Sequence, residues 1–142
     1  MNEYTFEDIY VGMEETFTRT ITSEYERMFR EISGDTNPLH VDDEFAKKIG
    51  NGKFMEHVVY GMLSASLLST MAGVYIPGKY SLIHSIDNIS FKKPVFCGDK
   101  LTVTGTVVDK QEGLNLLLLK VKIKNQDNKA VITADMKVLV QK

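Results

Sequence analysis

The strongest constraint on the fold of this chain is an uncharged segment, VVYGMLSASLLSTMAGVYIPG, at residues 58–78. A helix that begins near Gly61 and ends before Pro77 would carry apolar residues on nearly every face. Such a helix is stable only when other structure covers it. Its serines and glycines make it too polar to be a membrane span. The segment therefore predicts a buried central helix.

The residues that could cover this helix lie mostly after it. Four strand-like runs are separated by turn-forming segments, and the last three are predicted to form a meander. A further short strand is predicted near the N-terminus, in TFTRTIT at residues 16–22. The pattern predicts one α+β domain over residues 1–142. The four later runs are SLIHSIDNISF, LTVTGTVVDK, LNLLLLKVKIKN and AVITADMKVLVQ.

Two shorter helices are predicted before residue 58. Ser23 is the expected N-cap of a helix over EYERMFREIS, and Gly34 is expected to end it. A second helix over DDEFAKKIG should begin near Asp42 and end at Gly50. The loop between the two helices, SGDTNPLH at residues 33–40, contains both turn-forming and titratable residues.

Composition excludes several classes of function. Seventeen basic and nineteen acidic residues give a net charge of −2, and no basic run indicates nucleic acid binding. The single cysteine, Cys97, excludes an internal disulfide framework, and the PVFCGD turn lacks the ligand spacing of a metal site. The acidic start, MNEYTFEDIY, has no hydrophobic signal region. We therefore expect a soluble cytoplasmic protein that does not span a membrane.

The SGDTNPLH loop places Asp35 and His40 five positions apart. One interpretation is structural, with Asp35 bending the loop and His40 at the surface. The other is chemical, since a histidine near a carboxylate in a loop stiffened by Pro38 can serve as an acid–base pair. The residues of the loop alone leave both interpretations open.

A wider stretch of sequence favours the chemical interpretation. FREISGDTNPLH at residues 29–40, followed by VDDEFA, resembles the signature of the MaoC-like dehydratases, the family of (R)-specific enoyl-CoA hydratases or hydratase 2. The similarity continues through YGMLSASLLS and SFKKPVFCGDKLT and so covers most of the chain. The positions that match the signature are Phe29, Ser33, Gly34, Asp35, Asn37, Pro38, Leu39, His40 and Ala46.

This resemblance implies a hot-dog fold, in which an antiparallel sheet wraps around a long central helix. It also implies a homodimer joined edge to edge, with each substrate site in a tunnel at the interface. The implied reaction, part of fatty acid metabolism, is reversible syn addition of water to a trans-2-enoyl thioester carried by coenzyme A or acyl carrier protein. Asp35 and His40 would be catalytic, and neither a metal nor a redox cofactor is expected.

Four further residues are candidates for the site. Gly61 could donate its backbone N–H to the thioester carbonyl, although close helix packing also explains a glycine there. Tyr60 stands where the family commonly has histidine; it can donate a hydrogen bond to substrate but carries no charge near neutral pH. Asn37 could contact substrate or only form an Asx turn. Ser69 could line the acyl tunnel or bond to the preceding helical turn.

Two other functions remain open at this stage. Hot-dog folds also include acyl-CoA thioesterases, which use a carboxylate and a helix N-terminus. A non-catalytic acyl-thioester-binding dimer is the second alternative, and Tyr60 favours it. The intact pair of Asp35 and His40 favours the hydratase. The remaining histidines, His57 and His84, match no catalytic position of the family and are interpreted as structural or surface residues.

Overall fold

In a computed structural model, which describes all 142 residues, the chain forms one five-stranded antiparallel sheet and four α-helices, with one 3₁₀ turn and one π-helical turn. Every predicted strand and helix is found, with boundaries shifted by a few residues at most. The elements are β1 (Glu14–Thr20), α1 (Ser23–Ser33), a 3₁₀ turn (Pro38–His40), α2 (Asp43–Ile49), α3 (Gly61–Ala65), α4 (Leu67–Thr70), a π-helical turn (Met71–Tyr75), β2 (Ser81–Phe91), β3 (Lys100–Gln111), β4 (Leu116–Lys124) and β5 (Ala130–Val140).

The five strands lie in the order β1-β3-β4-β5-β2, and all neighbours are antiparallel. The predicted meander of the last three strands is confirmed. Alternate residues of β3 are buried, while the threonines between them are only partly covered. Strands β1 and β2 are the two edges of the sheet. The buried residues of β3 are Leu101, Val103, Gly105 and Val107.

The helical segments α3, α4 and the π-helical turn together form the central helix, residues 61–75. Leu68, Met71 and Ala72 are almost completely buried in the main hydrophobic core. The prediction that this helix is covered on all sides is wrong for this chain by itself. Met62 is 61% exposed, and Ser66 and Ser69 are also exposed on the side away from the core. The sheet therefore covers one side of the helix and leaves a stripe open.

The two shorter helices have the predicted extents, but the N-cap of α1 is not the residue predicted from the sequence. Thr22, not Ser23, is the N-cap of α1, because its hydroxyl accepts a hydrogen bond from the Tyr25 N–H at 3.2 Å. Gly34 ends α1 in the left-handed region, at φ 71°. In α2, Asp42 is the N-cap, as predicted. These caps fix where the intervening loop begins and ends.

No helix in this protein is long and apolar enough to cross a membrane. The cytoplasmic location stays a prediction from the sequence.

Leu68→Ala should lower the free energy of unfolding by about 2–5 kcal/mol, because it leaves a cavity in the core around the central helix. Leu114→Ala is the matched control, since Leu114 is 64% exposed. Urea denaturation measures both changes. Equal effects of the two substitutions would contradict a core centred on this helix.

Candidate active site

The SGDTNPLH loop is held by its own polar side chains. The Ser33 hydroxyl donates to the Phe29 carbonyl at 2.8 Å and accepts from the Asp35 N–H at 3.2 Å. The Asp35 carboxylate accepts from the Asn37 N–H at 3.0 Å, and the Asn37 side chain accepts from the Leu39 N–H at 2.9 Å. These contacts build the turns of the loop and leave Asp35 exposed to solvent.

His40 has a fixed ring orientation. Its Nδ1 lies 2.6 Å from the carbonyl oxygen of Val58. A carbonyl oxygen only accepts hydrogen bonds, so Nδ1 carries the proton of the neutral ring. Nε2 of that tautomer has a free lone pair. His40 is therefore positioned to accept a proton at Nε2.

Tyr60 connects the two predicted catalytic residues. Its hydroxyl donates to the backbone carbonyl of Asp35 at 2.6 Å and accepts from Nε of Arg30 at 3.2 Å. Its ring centroid lies 4.3 Å from that of His40. Tyr60 is only 1% exposed, so its hydroxyl is used within the protein. Tyr60 positions the loop, and direct contact with substrate stays a prediction.

A cavity of about 230 Å³ adjoins these residues. His40, Gly61 and Ser64 line it together with residues 91–95, the segment that leaves β2. A larger concavity, of about 890 Å³, lies over threonine and lysine side chains of the sheet and includes none of the predicted site residues. The smaller cavity is the one that belongs to the candidate site.

Gly61 is the first residue of α3, and its N–H makes no hydrogen bond within the protein. A Cβ at this position would lie 3.0 Å from Cε1 of Phe91, closer than side chains normally approach. A residue without Cβ therefore avoids a close contact with the Phe91 ring, which is itself 51% exposed. The free N–H also leaves a backbone donor at the cavity that Gly61 lines.

Ser64 was missed by the sequence analysis. It is 1% exposed, its hydroxyl has no hydrogen-bond partner, and it lines the same cavity as His40. Its position three residues after Gly61 places both residues on one face of the helix. That spacing is the signal that could have identified it. An unpaired buried hydroxyl is costly, which favours a polar ligand in this cavity.

Four predicted site residues do not line this cavity, namely Asp35, Asn37, Tyr60 and Ser69. Asp35 reaches the site through Tyr60, and Asn37 forms the Asx-type cap of the 3₁₀ turn. Ser69 is exposed on the open stripe of the central helix. Their roles toward substrate stay predictions. No group of three or more His, Cys, Asp or Glu side chains is arranged to hold a metal ion.

The antiparallel sheet around a helix, with a histidine and a free N–H at one cavity, corresponds to a hot-dog fold with a site suited to acid–base chemistry. The family model described as "MaoC like domain" matches residues 10–129. This chain belongs to that family.

Relatives and solved structures agree with this assignment. The (R)-specific enoyl-CoA hydratase of Aeromonas caviae is 33% identical over 129 residues, which are 91% of this chain and 93% of that protein. The enzyme of the same name from Rhodospirillum rubrum is 36% identical over 102 residues, 72% of this chain and 68% of that protein. The structure of the Aeromonas caviae (R)-hydratase involved in PHA biosynthesis has a TM-score of 0.86 at 31% identity and covers 94% of this chain and 98% of its own.

Tyr60→Phe should lower the free energy of unfolding by about 1–3 kcal/mol, because the Asp35 carbonyl and Arg30 lose a buried partner while the ring packing is retained. Tyr10→Phe is the matched control, since Tyr10 is 63% exposed. Urea denaturation compares the two variants. If they are equally stable, the Tyr60 hydroxyl does not hold the loop.

Proposed function

We propose that this protein is an (R)-specific enoyl thioester hydratase, which reversibly adds water to a trans-2-enoyl thioester with syn stereochemistry. The observation that carries the proposal is His40, whose Nδ1 is bound to the Val58 carbonyl while the ring lines a cavity that Gly61 also lines. Hydration of an enoyl thioester needs both a group that accepts a proton from water and a hydrogen-bond donor to the thioester carbonyl. The relatives named above carry the same activity in their names.

In the hydration direction, Asp35 and His40 hold the attacking water. Nε2 of His40 accepts a proton from that water as its oxygen bonds to Cβ. The electron pair of the double bond moves toward the thioester carbonyl. The proton held at Nε2 is then delivered to Cα from the same face, so that His40 returns to its neutral form and one water molecule has been added in total.

The carbonyl oxygen gains negative charge during this step and needs a fixed donor. The N–H of Gly61 supplies it, because the first N–H groups of a helix have no partner within the helix. The unpaired Ser64 hydroxyl lies on the same face and offers a second polar contact. Since the thioester is itself the electron sink, the proposed reaction needs neither a metal nor a redox cofactor.

The substrate would be carried by coenzyme A or by acyl carrier protein, since both present the same pantetheine arm. Lys92 and Lys93 are exposed and line the candidate cavity. Their positive charges suit the phosphate groups of either carrier. Assays of the same acyl chain on coenzyme A and on acyl carrier protein would show which carrier the enzyme prefers.

We also propose a cytoplasmic homodimer joined through β2. This strand is an edge of the sheet, and unpaired edges normally require cover. Its exposed apolar side chains support the choice, with Leu82 54%, Ile86 41% and Phe91 51% exposed. Phe91 also lines the candidate cavity, so a partner on this edge would lie close to the site.

Asp35→Asn and His40→Ala should each lower the hydration rate by about 10²–10⁴-fold, because the first removes a carboxylate that holds the attacking water and the second removes the group that accepts its proton. The decay of enoyl absorbance with crotonyl-CoA measures the rate, and chiral analysis identifies the (R)-alcohol. Asp127→Asn, in an exposed turn, is the control.

Near-normal turnover in Asp35→Asn would remove Asp35 from the mechanism. Release of free thiol by the wild-type protein would identify a thioesterase. Tight binding of acyl thioesters without turnover would identify a binding protein.

Ile86→Lys should shift the protein from dimer to monomer, because it places a charge on the proposed edge. Size-exclusion chromatography with light scattering measures the mass. Val108→Lys is the control, since Val108 is 39% exposed on β3, an interior strand. A wild-type monomer, or an Ile86→Lys dimer, would contradict the proposed interface.

A further inference from the structure

His57, which lies just before the central helix, bridges two carboxylates from different helices. Its Nε2 is 2.9 Å from Oε1 of Glu26 on α1, and its Nδ1 is 2.7 Å from Oδ1 of Asp43 on α2. The backbone N–H of His57 also donates to Asp43 at 2.9 Å. A carboxylate accepts hydrogen bonds, so both ring nitrogens act as donors. The geometry is that of an imidazolium.

Glu26 makes the charge of His57 important. Its side chain is only 3% exposed, and a buried carboxylate is costly without a charged partner. The nearby thiol of Cys97 cannot replace that partner. Burial, together with the charge of Glu26, raises the pKa of Cys97, so the thiol stays neutral. The imidazolium of His57 is therefore the counter-charge of Glu26.

The segment that begins at His57 carries the fixed contacts of the candidate site. The next residue, Val58, provides the carbonyl that holds Nδ1 of His40. Tyr60 and Gly61 follow, the first bonded to the Asp35 carbonyl and the second providing the free N–H. Because His57 ties the start of this segment to α1 and α2, its contacts set where these groups lie.

We propose that protonated His57, bound to Glu26 and Asp43, is a positioning residue that holds His40 and Gly61 in their reactive arrangement. Loss of its proton removes one of the two ring donors, which leaves either Glu26 without its bond to His57 or Asp43 with the backbone N–H of His57 alone. The start of the segment is then held by fewer contacts, His40 and Gly61 shift from their reactive arrangement, and turnover falls. The kinetic part of this proposal rests on the proposed hydratase function.

The direction of the pH dependence follows from the groups around the cluster. Burial lowers the pKa of His57, but the hydrogen bond to Asp43 and the charge of Glu26 outweigh it and leave the pKa raised. The contribution of the cluster is complete below about pH 6.5, the ordinary histidine value, and is lost as pH rises through the raised value. The surrounding titratable groups are Glu26 on α1, Asp43 and Lys47 on α2, Glu56 immediately before His57, and Cys97 and Asp99 in the turn after β2.

At acidic pH the contribution of the cluster to stability changes in the opposite direction, because it then depends on Asp43. Hydrogen bonds from the backbone and the ring of His57 lower the pKa of Asp43. The stability that Asp43 contributes is complete above about pH 3.9 and is lost as pH falls through its lowered value. The cluster is therefore intact from mildly acidic to near-neutral pH.

His57→Gln tests the proposal, because glutamine keeps a hydrogen-bond donor without the charge. With crotonyl-CoA, kcat should fall about tenfold or more at neutral pH with little change in KM, since a small displacement of His40 affects the transition state most. The wild-type enzyme should lose kcat as the pH rises through the pKa of His57, and this loss should be absent from the variant. Asp43→Asn should move that loss to lower pH.

Glu44→Gln is the matched control for Asp43→Asn. It removes a carboxylate from the same helix, but Glu44 pairs with Lys47 and does not contact His57. Its pH profile should be that of the wild type. A folded His57→Gln variant with wild-type kcat and pH profile, even with a lower Tm, would overturn the proposal, because His57 would then only stabilise the fold.

Histidine NMR gives a readout that needs no activity. The chain has three histidines, and His84, exposed on β2, is an internal control. In His57→Gln the ring signals of His40 should change, because its bond to Val58 is altered, while those of His84 should not. Unchanged His40 signals would overturn the proposal, whether or not the wild-type protein is active. An inactive wild type whose His40 signals change in His57→Gln would instead contradict only the hydratase function. If His57→Gln does not fold, Asp43→Asn carries both measurements.

Discussion

Burial of the central helix against the sheet is the interaction on which the rest of this structure depends. The helix is too apolar to be stable in water by itself, and its Leu68 and Met71 are buried in one core with the alternating residues of β3. Antiparallel strands suit this task because one face can be apolar while the other stays polar. Once the helix is enclosed, its N-terminus has a fixed position at which a site can be built.

The site itself is assembled from pieces that are distant in sequence. The loop after α1 supplies Asp35 and His40, and the start of the central helix supplies Tyr60 as its N-cap and Gly61 as its first residue. Tyr60 joins the two pieces through one short hydrogen bond and one ring contact. A tyrosine does not change its charge near neutral pH, so this connection holds under conditions in which histidines titrate. The departure from the commoner histidine therefore suits a structural role.

Local patterns made most of this predictable. Period-two alternation identified the strands, and Gly34, Asp42 and Gly50 marked the helix ends, because these signals act within a few residues. The family signature pointed to Asp35 and His40 as catalytic residues, and these roles stay predictions. The contacts of Glu26 with His57, 31 positions apart, could not be predicted, since no local pattern links them. The unpaired Ser64 hydroxyl also needed the structure, because it depends on which helix face meets the cavity.

The bond between Nδ1 of His40 and the Val58 carbonyl has a further consequence for how protons travel. An imidazole with one nitrogen occupied in this way exchanges protons through the other nitrogen alone. It cannot pass a proton from one side of the ring to the other, as a relay does. In the proposed hydration, a proton that Nε2 takes from water therefore leaves from Nε2 again, toward the same face of the substrate.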